Sequence, residues 1–167
     1  MRELLVNVAE LLRRPGSSRD DVLETTVAAL GIEDPRLPDG PVVLRAHLEA
    51  LSDGIVVTGE LAARWSGECR RCLAPLGGPI AVPVNELYQT RPKDPEAFPI
   101  ENEQIDFQHM VREALLLDVP SAPLCRDDCA GICPLCGADR NEAPCSCDTT
   151  VRDSRWAALD ALRDDSR

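Results

Sequence analysis

The sequence has no apolar run long enough to span a membrane, and its beginning, MRELLVNVAELLRR, is too charged and too poor in apolar residues for a signal peptide. Both absences predict a cytoplasmic protein with no membrane partner. Histidine is scarce as well: His47 and His109 are the only two, and neither has a serine or thiol partner at a recognisable spacing. The acids form no readable catalytic pair, so the expectation is a protein that is not an enzyme. No internal repeat and no low-complexity tract is present, and 167 residues suit one domain with a small appendage.

Positive charge is also in short supply. Against 29 Asp and Glu stand 18 Lys and Arg, a formal net charge of −11. Such a balance keeps a chain soluble, and it works against a fold that spreads itself over phosphates. A basic protein partner fits this field better than RNA does. The one basic run that stands out is RRPGSSRDD, read as an exposed turn carrying Arg13, Arg14 and Arg19.

What the sequence does have is cysteine. Eight thiols fall into four pairs by spacing: Cys69 and Cys72 in CRRC, Cys125 and Cys129 in CRDDC, Cys133 and Cys136 in CPLC, Cys145 and Cys147 in CSC. A chain this long does not need disulfides to hold a core, and cytoplasmic thiols stay reduced. Metal chelation is the better reading. A structural zinc site needs four thiolates at tetrahedral corners about 2.3 Å from the ion, and short loops supply two corners at little entropic cost. Gly137 after CPLC gives such a loop the permissive backbone it needs.

Cys133, Cys136, Cys145 and Cys147 can close locally around one ion, which leaves Cys69 and Cys72 to meet Cys125 and Cys129 across the fold. Two Zn²⁺ are expected, and at least one. Eight thiolates add −8 and two Zn²⁺ add +4, taking the formal charge from −11 to −15. Arg70, Arg71, Arg126 and Arg140 stand beside the thiols and can offset the charge of each centre. Iron–sulfur ligation fits tight knuckle loops less well. A redox-switched zinc holdase is a further alternative, without the extended linker that metal release would expose.

The expected fold is α+β: an antiparallel sheet with a packed helix over residues 1–120, then a small zinc-binding cysteine-rich lobe with a C-terminal helix over 121–167. Residues 42–51 and 55–65 alternate in the strand period, and Asp53-Gly54 between them is the favoured pair for a type I′ turn. That turn would pair Ala50 with Val57 and Val42 with Trp65. A third strand is expected at 79–89, with Pro83 marking an edge or bulge. The stretch 91–104 reads as a solvated loop. A helix follows over 106–118, capped by Asp106, with Phe107, Met110, Val111, Ala114 and Leu115 as its apolar stripe. Thr150 and Asp153 stand in capping-box spacing before a docking helix bearing Trp156, Leu159 and Leu162.

RRPGS, ECRRCL, DFQHMVREALLLDVP, LCRDDCAGICPLCGADRN, CSCD and DSRWAALDAL, in this order, resemble the YceD family of large ribosomal RNA subunit accumulation proteins, in its cysteine-rich branch. The resemblance implies a non-enzymatic role in 23S rRNA accumulation and large ribosomal subunit biogenesis. It implies as partners a large-subunit precursor and a basic ribosomal protein. The rival is direct rRNA contact through Arg13, Arg14, Arg19, Arg70 and Arg71.

Overall fold

In VVLRAHLEAL every second side chain is apolar. The computed structural model makes this stretch a strand with Val42, Leu44, Ala46, Leu48 and Ala50 buried on one face. Residues 4–93, 95–149 and 155 are described. In chain order they form β1 (Leu5–Asn7), α1 (Ala9–Leu12), β2 (Ser18–Thr26), β3 (Pro41–Ala50), β4 (Ile55–Glu68), β5 (Pro75–Gln89), β6 (Phe98–Pro99), β7 (Gln104–Asp106) and α2 (Gln108–Asp118). Five strands make one sheet in the order β2-β3-β4-β5-β6, and β1 pairs antiparallel with β7. The chain divides into two compact units. One holds the described residues up to Gly67 together with Pro75–Pro123; the other holds Glu68–Ala74 and the described residues from Leu124 onward.

The core of the first unit is the inner face of the sheet. Ile55, Val57 and Leu61 of β4 and Ile80, Val84 and Tyr88 of β5 join the β3 set, with Phe107, Met110, Val111 and Leu115 from the α2 segment. Each large side chain buried in full contributes about 1.5–3 kcal/mol. Tyr88 stacks on Phe98 with ring centroids 5.2 Å apart and meets Phe107 edge-on at 5.5 Å. Helix α2 starts at Gln108 with Phe107 as its N-cap and no side-chain cap bond; Asp106, expected as the cap, stands one residue earlier and accepts the Gln108 N–H at 2.9 Å.

Several local expectations need correction. The hairpin register is Ala50 with Ile55, Leu48 with Val57 and Leu44 with Leu61, two residues away from the expected pairing. A shift of two keeps every side chain on its face, so the core is unchanged. The turn is not type I′. Leu51 N–H donates to Gly54 C=O at 2.8 Å across Ser52 and Asp53, and none of these residues has a positive φ. Gly54 is needed for a different reason: a Cβ there would stand 2.3 Å from the Tyr88 carbonyl oxygen.

The sheet is mixed, because β6 runs parallel to β5 at Tyr88 and Gln89. The stretch 91–104 holds β6 and the first residue of β7, and it buries Ile100. The basic run 13–21 is a turn only in its first part, since β2 starts at Ser18 and pairs with β3 throughout. Pro83 falls where β5 has no β6 neighbour, since β6 pairs only with Tyr88 and Gln89. The expected helix with Trp156, Leu159 and Leu162 lies outside the described residues.

Candidate metal centre

The second unit is built on two turns with the same backbone pattern. In CRRCLA, Cys69 N–H donates to Ala74 C=O at 2.8 Å and Leu73 N–H to Cys69 C=O at 2.9 Å. In CPLCGA, Cys133 N–H donates to Ala138 C=O at 2.8 Å and Gly137 N–H to Cys133 C=O at 2.9 Å. The residue after the second cysteine is left-handed in both, with φ 61° at Leu73 and 73° at Gly137. Glycine takes that conformation freely, whereas leucine holds it at a cost of about 1–2 kcal/mol.

These turns bring the eight thiols into two sets of four. In each of them, Cys69, Cys72, Cys125 and Cys129 on one side and Cys133, Cys136, Cys145 and Cys147 on the other, the sulfurs all lie within 4.8 Å of one another, and each set could hold a metal ion. The grouping follows the spacing of the pairs along the chain. Cys69 Sγ stands 3.8 Å from Cys129 Sγ, and Cys72 Sγ stands 3.7 Å from Cys125 Sγ. A disulfide would need about 2.05 Å. A tetrahedron with sulfurs about 2.3 Å from its centre has edges of about 3.8 Å. The thiols of this set therefore stand at the spacing of ligands around one ion.

The electrostatics of the thiols point the same way. Burial raises the Cys69 thiol, but the N–H groups of Cys72 and Arg71 outweigh it and bring the pKa down to about 6. In the other set the N–H groups of Cys136 and Leu135 bring Cys133 down to about 6 against its burial. Cys125 is pushed up to about 12, first by the Cys129 side chain and then by burial. Cys147 is likewise pushed up to about 12, first by the side chains of Cys136 and Cys133. In each set one thiol ionises readily and at least one resists, because a further thiolate would face its neighbours. A dication among the sulfurs reverses that penalty.

Groups around the first set hold it in place. The Arg71 guanidinium donates to the carbonyls of Cys129 at 2.8 Å and Asp127 at 3.3 Å, and its own carbonyl accepts Ile132 N–H at 3.0 Å. Asn141, in the loop between Cys136 and Cys145, donates to Cys129 Sγ at 3.5 Å and to Asp139 Oδ1 at 2.7 Å. Its Oδ1 accepts Ala130 N–H at 2.8 Å and Arg126 Nη2 at 2.9 Å. Nothing in the sequence marks Asn141, because its role is set by a sulfur belonging to a different pair.

Of the five arginines expected at an interface, Arg13, Arg14 and Arg19 belong to the first unit and Arg70 and Arg71 to the second. Arg13 lies 3.7 Å from Glu103 and Arg14 lies 3.5 Å from Glu10. Arg19 donates to Asp21 Oδ2 at 2.8 and 3.0 Å and to the Asn7 carbonyl at 3.2 Å. Arg71 is spent on carbonyls, and Arg70 is exposed. His47 Nδ1 is 2.6 Å from Asp20 Oδ1 across the β2–β3 pair, and His109 is 3.4 Å from Glu113 one turn along α2. Among the described residues no helix is long and apolar enough to cross a membrane.

A mixed sheet with a discontinuous second unit, carrying two four-cysteine clusters, defines the class of protein. A model of the family described as "Large ribosomal RNA subunit accumulation protein YceD" matches residues 57–163. Uncharacterized proteins of Mycobacterium tuberculosis and Mycobacterium bovis are 35% identical over 168 residues, covering 93% of this chain and 79% of each of theirs. "Large ribosomal RNA subunit accumulation protein YCED homolog 1, chloroplastic" of Arabidopsis thaliana is 31% identical over 67 residues, 40% of this chain and 21% of that protein. No solved structure matches. The chain belongs to the YceD family.

Proposed function

We propose that the chain is a non-enzymatic cytoplasmic factor in biogenesis of the large ribosomal subunit. In this reading it supports 23S rRNA accumulation by binding a basic ribosomal protein or a pre-ribosomal particle. Family membership supports the role in ribosome biogenesis, and the mode of action follows from charge. A net charge of −11, with Arg13 and Arg19 beside acids and Arg71 held on carbonyls, favours a cationic protein partner over phosphate. In a strain depleted of the protein, 23S rRNA should fall relative to 16S rRNA. Unchanged 23S rRNA would overturn the role.

The second unit is, in the same proposal, a zinc-binding lobe. Cys69, Cys72, Cys125 and Cys129 hold one Zn²⁺, and Cys133, Cys136, Cys145 and Cys147 hold another. The observation that carries this is the 3.7–3.8 Å sulfur spacing in the first set. Both sets are all-cysteine and leave no open coordination position, so the ions are structural. Bound in the first set, an ion ties the β4–β5 turn to the segment around Cys125 and Cys129, 53 and 60 residues further along the chain. Native mass spectrometry with elemental analysis on reduced protein should find two zincs per chain. A folded chain free of metal would sink the assignment.

A further inference from the structure

Strand β2 ends the five-stranded sheet, so only one of its two edges is paired. Just beyond one end of it Val27 N–H donates to Gly40 C=O at 3.1 Å, and just beyond the other Ala50 N–H donates to Ser17 C=O at 2.9 Å. The register between these bonds is unbroken, from Ser18 with Glu49 to Thr26 with Pro41. Bonded and non-bonded pairs alternate along an antiparallel ladder, so the odd-numbered residues of β2 bond to β3 and the even-numbered ones turn their N–H and C=O outward. The Thr26 carbonyl accepts Leu30 N–H at 3.1 Å. Ser18, Asp20, Val22 and Glu24 remain, and among the described residues no strand pairs with that edge. Natural sheets blunt such an edge with proline, lysine or a short strand. β2 runs for nine residues with neither proline nor lysine, and Val22 at its middle is 56% exposed.

A row of alternating donors and acceptors is matched by the backbone of another extended peptide. The exposed side chains of the same residues decide which peptide. Asp20 and Glu24 flank Val22. Glu24 makes no ion pair among the described residues, and Asp20 gives one oxygen to His47 at 2.6 Å while its side chain stays 85% exposed. Arg45 is the cation one strand in, opposite Val22 on one side and Glu60 on the other. Arg19 points to the other face, where Asp21 holds it. The exposed face of β2 itself therefore bears two carboxylates and no cation. Two copies of β2 paired antiparallel over their full length would set Asp20 of one copy against Glu24 of the other, a destabilising contact. RNA would bring phosphates to the same carboxylates.

We propose that the open edge of β2 receives an extended basic segment of a protein partner as an added strand, bonded at Ser18, Asp20, Val22 and Glu24, with cationic side chains beside Asp20 and Glu24. The inference rests on the basic-partner reading above and gives it a place on the first unit and a mode of binding.

The test uses the full zinc-loaded chain and fluorescence anisotropy with a labelled nonapeptide of alternating arginine and valine. Wild-type protein should bind it, and glutamine in place of every arginine should weaken binding about tenfold or more. Two further peptides carry N-methyl groups on all the arginines or on all the valines. An added strand turns only one of these sets toward β2, so one peptide should lose about tenfold or more and the other less than about threefold. Val22→Pro takes an outward N–H from β2 and none from the β3 ladder; binding should fall about tenfold while circular dichroism reports an intact fold. Glu24→Lys should weaken binding about fivefold or more, and Asp118→Lys, the same charge change at the end of α2, by less than about twofold. No binding by wild type would remove the basic-partner reading and the added strand with it. Binding that neither N-methyl set disturbs, equal losses from Glu24→Lys and Asp118→Lys, or a folded Val22→Pro chain that binds as before would overturn the edge alone. Equal affinity for the glutamine peptide would overturn the basic occupant, and preference for a single-stranded RNA dodecamer would turn the proposal over to nucleic acid. A wild-type dimer in sedimentation that Val22→Pro dissolves would give the edge to a second copy instead.

Discussion

Asn141→Asp is the sharpest single probe of the proposed metal sites. The substitution is isosteric, yet it replaces an amide N–H 3.5 Å from Cys129 Sγ with a carboxylate oxygen, and it sets that carboxylate against Asp139 where a 2.7 Å hydrogen bond stood. A hydrogen bond to a charged group contributes about 1.5–3 kcal/mol, or about 10–100-fold in affinity, the usual range for groups one layer out from a metal. The loss should fall on the set of Cys69, Cys72, Cys125 and Cys129, since Asn141 touches a sulfur of that set. Asn141→Ala loses the same amide N–H bonds without adding repulsion, but also the acceptor for Ala130 N–H and Arg126 that aspartate keeps, so it should weaken the same set as well. The assay is zinc release to a coloured chelator from the reduced protein, followed as two phases. One zinc should leave far more readily in Asn141→Asp, and the other should change by less than about threefold. Equal weakening of both phases, or none, would refute the reasoning.

Three further outcomes follow from the first unit. Gly54→Ala should destabilise it by about 2–4 kcal/mol in reversible urea unfolding, because a Cβ 2.3 Å from the Tyr88 carbonyl forces β4 and β5 apart. Gly54→Asn should be at least as damaging; near-neutral behaviour would restore the type I′ turn, which tolerates asparagine. Asp34 is held at about 2, below its ordinary 3.8, first by the side chain of Arg36 and then by the Arg36 N–H, with burial opposing. Its folded value is depressed, so the stability it contributes is present above pH about 4 and is lost as pH falls toward 2. Asp34→Asn should flatten urea midpoints across that window, and an unchanged slope would count against the clamp. Arg36→Ala removes the Asp34 partner and the bond to the Pro120 carbonyl at 3.2 Å, and should lower the urea midpoint and abolish the Asp34-dependent slope below pH about 4.

How much of this was legible in the sequence depended on whether the signal was local. The β3 and β4 faces could be read because a period of two survives a register shift of two, while the turn that sets the register could not. Asp53-Gly54 satisfied a local rule, yet the glycine answers to the carbonyl of Tyr88, 34 residues away, and no pattern records that approach. Strand β2 escaped because its inward positions include Arg19, Asp21 and Thr25, so it shows polar alternation where a core strand shows apolar. β6 and β7, at two and three residues, are too short for periodicity to register.

The thiols were legible for the opposite reason. A chelating site assembled from pairs keeps half of its geometry inside each pair, so spacing alone limits which sulfurs can share a centre. What spacing omits is the layer that orients them. Arg71 reads in the sequence as a cation next to a thiol, available for charge or for RNA, but its guanidinium is committed to the carbonyls of Cys129 and Asp127. Leu73 and Gly137 hold the same place in two turns of one design, and only the glycine announces it. A cysteine pair followed by a left-handed residue and then alanine is therefore a fuller signature of this knuckle than the pair itself, because it includes the backbone conformation that aims the N–H groups at the sulfurs.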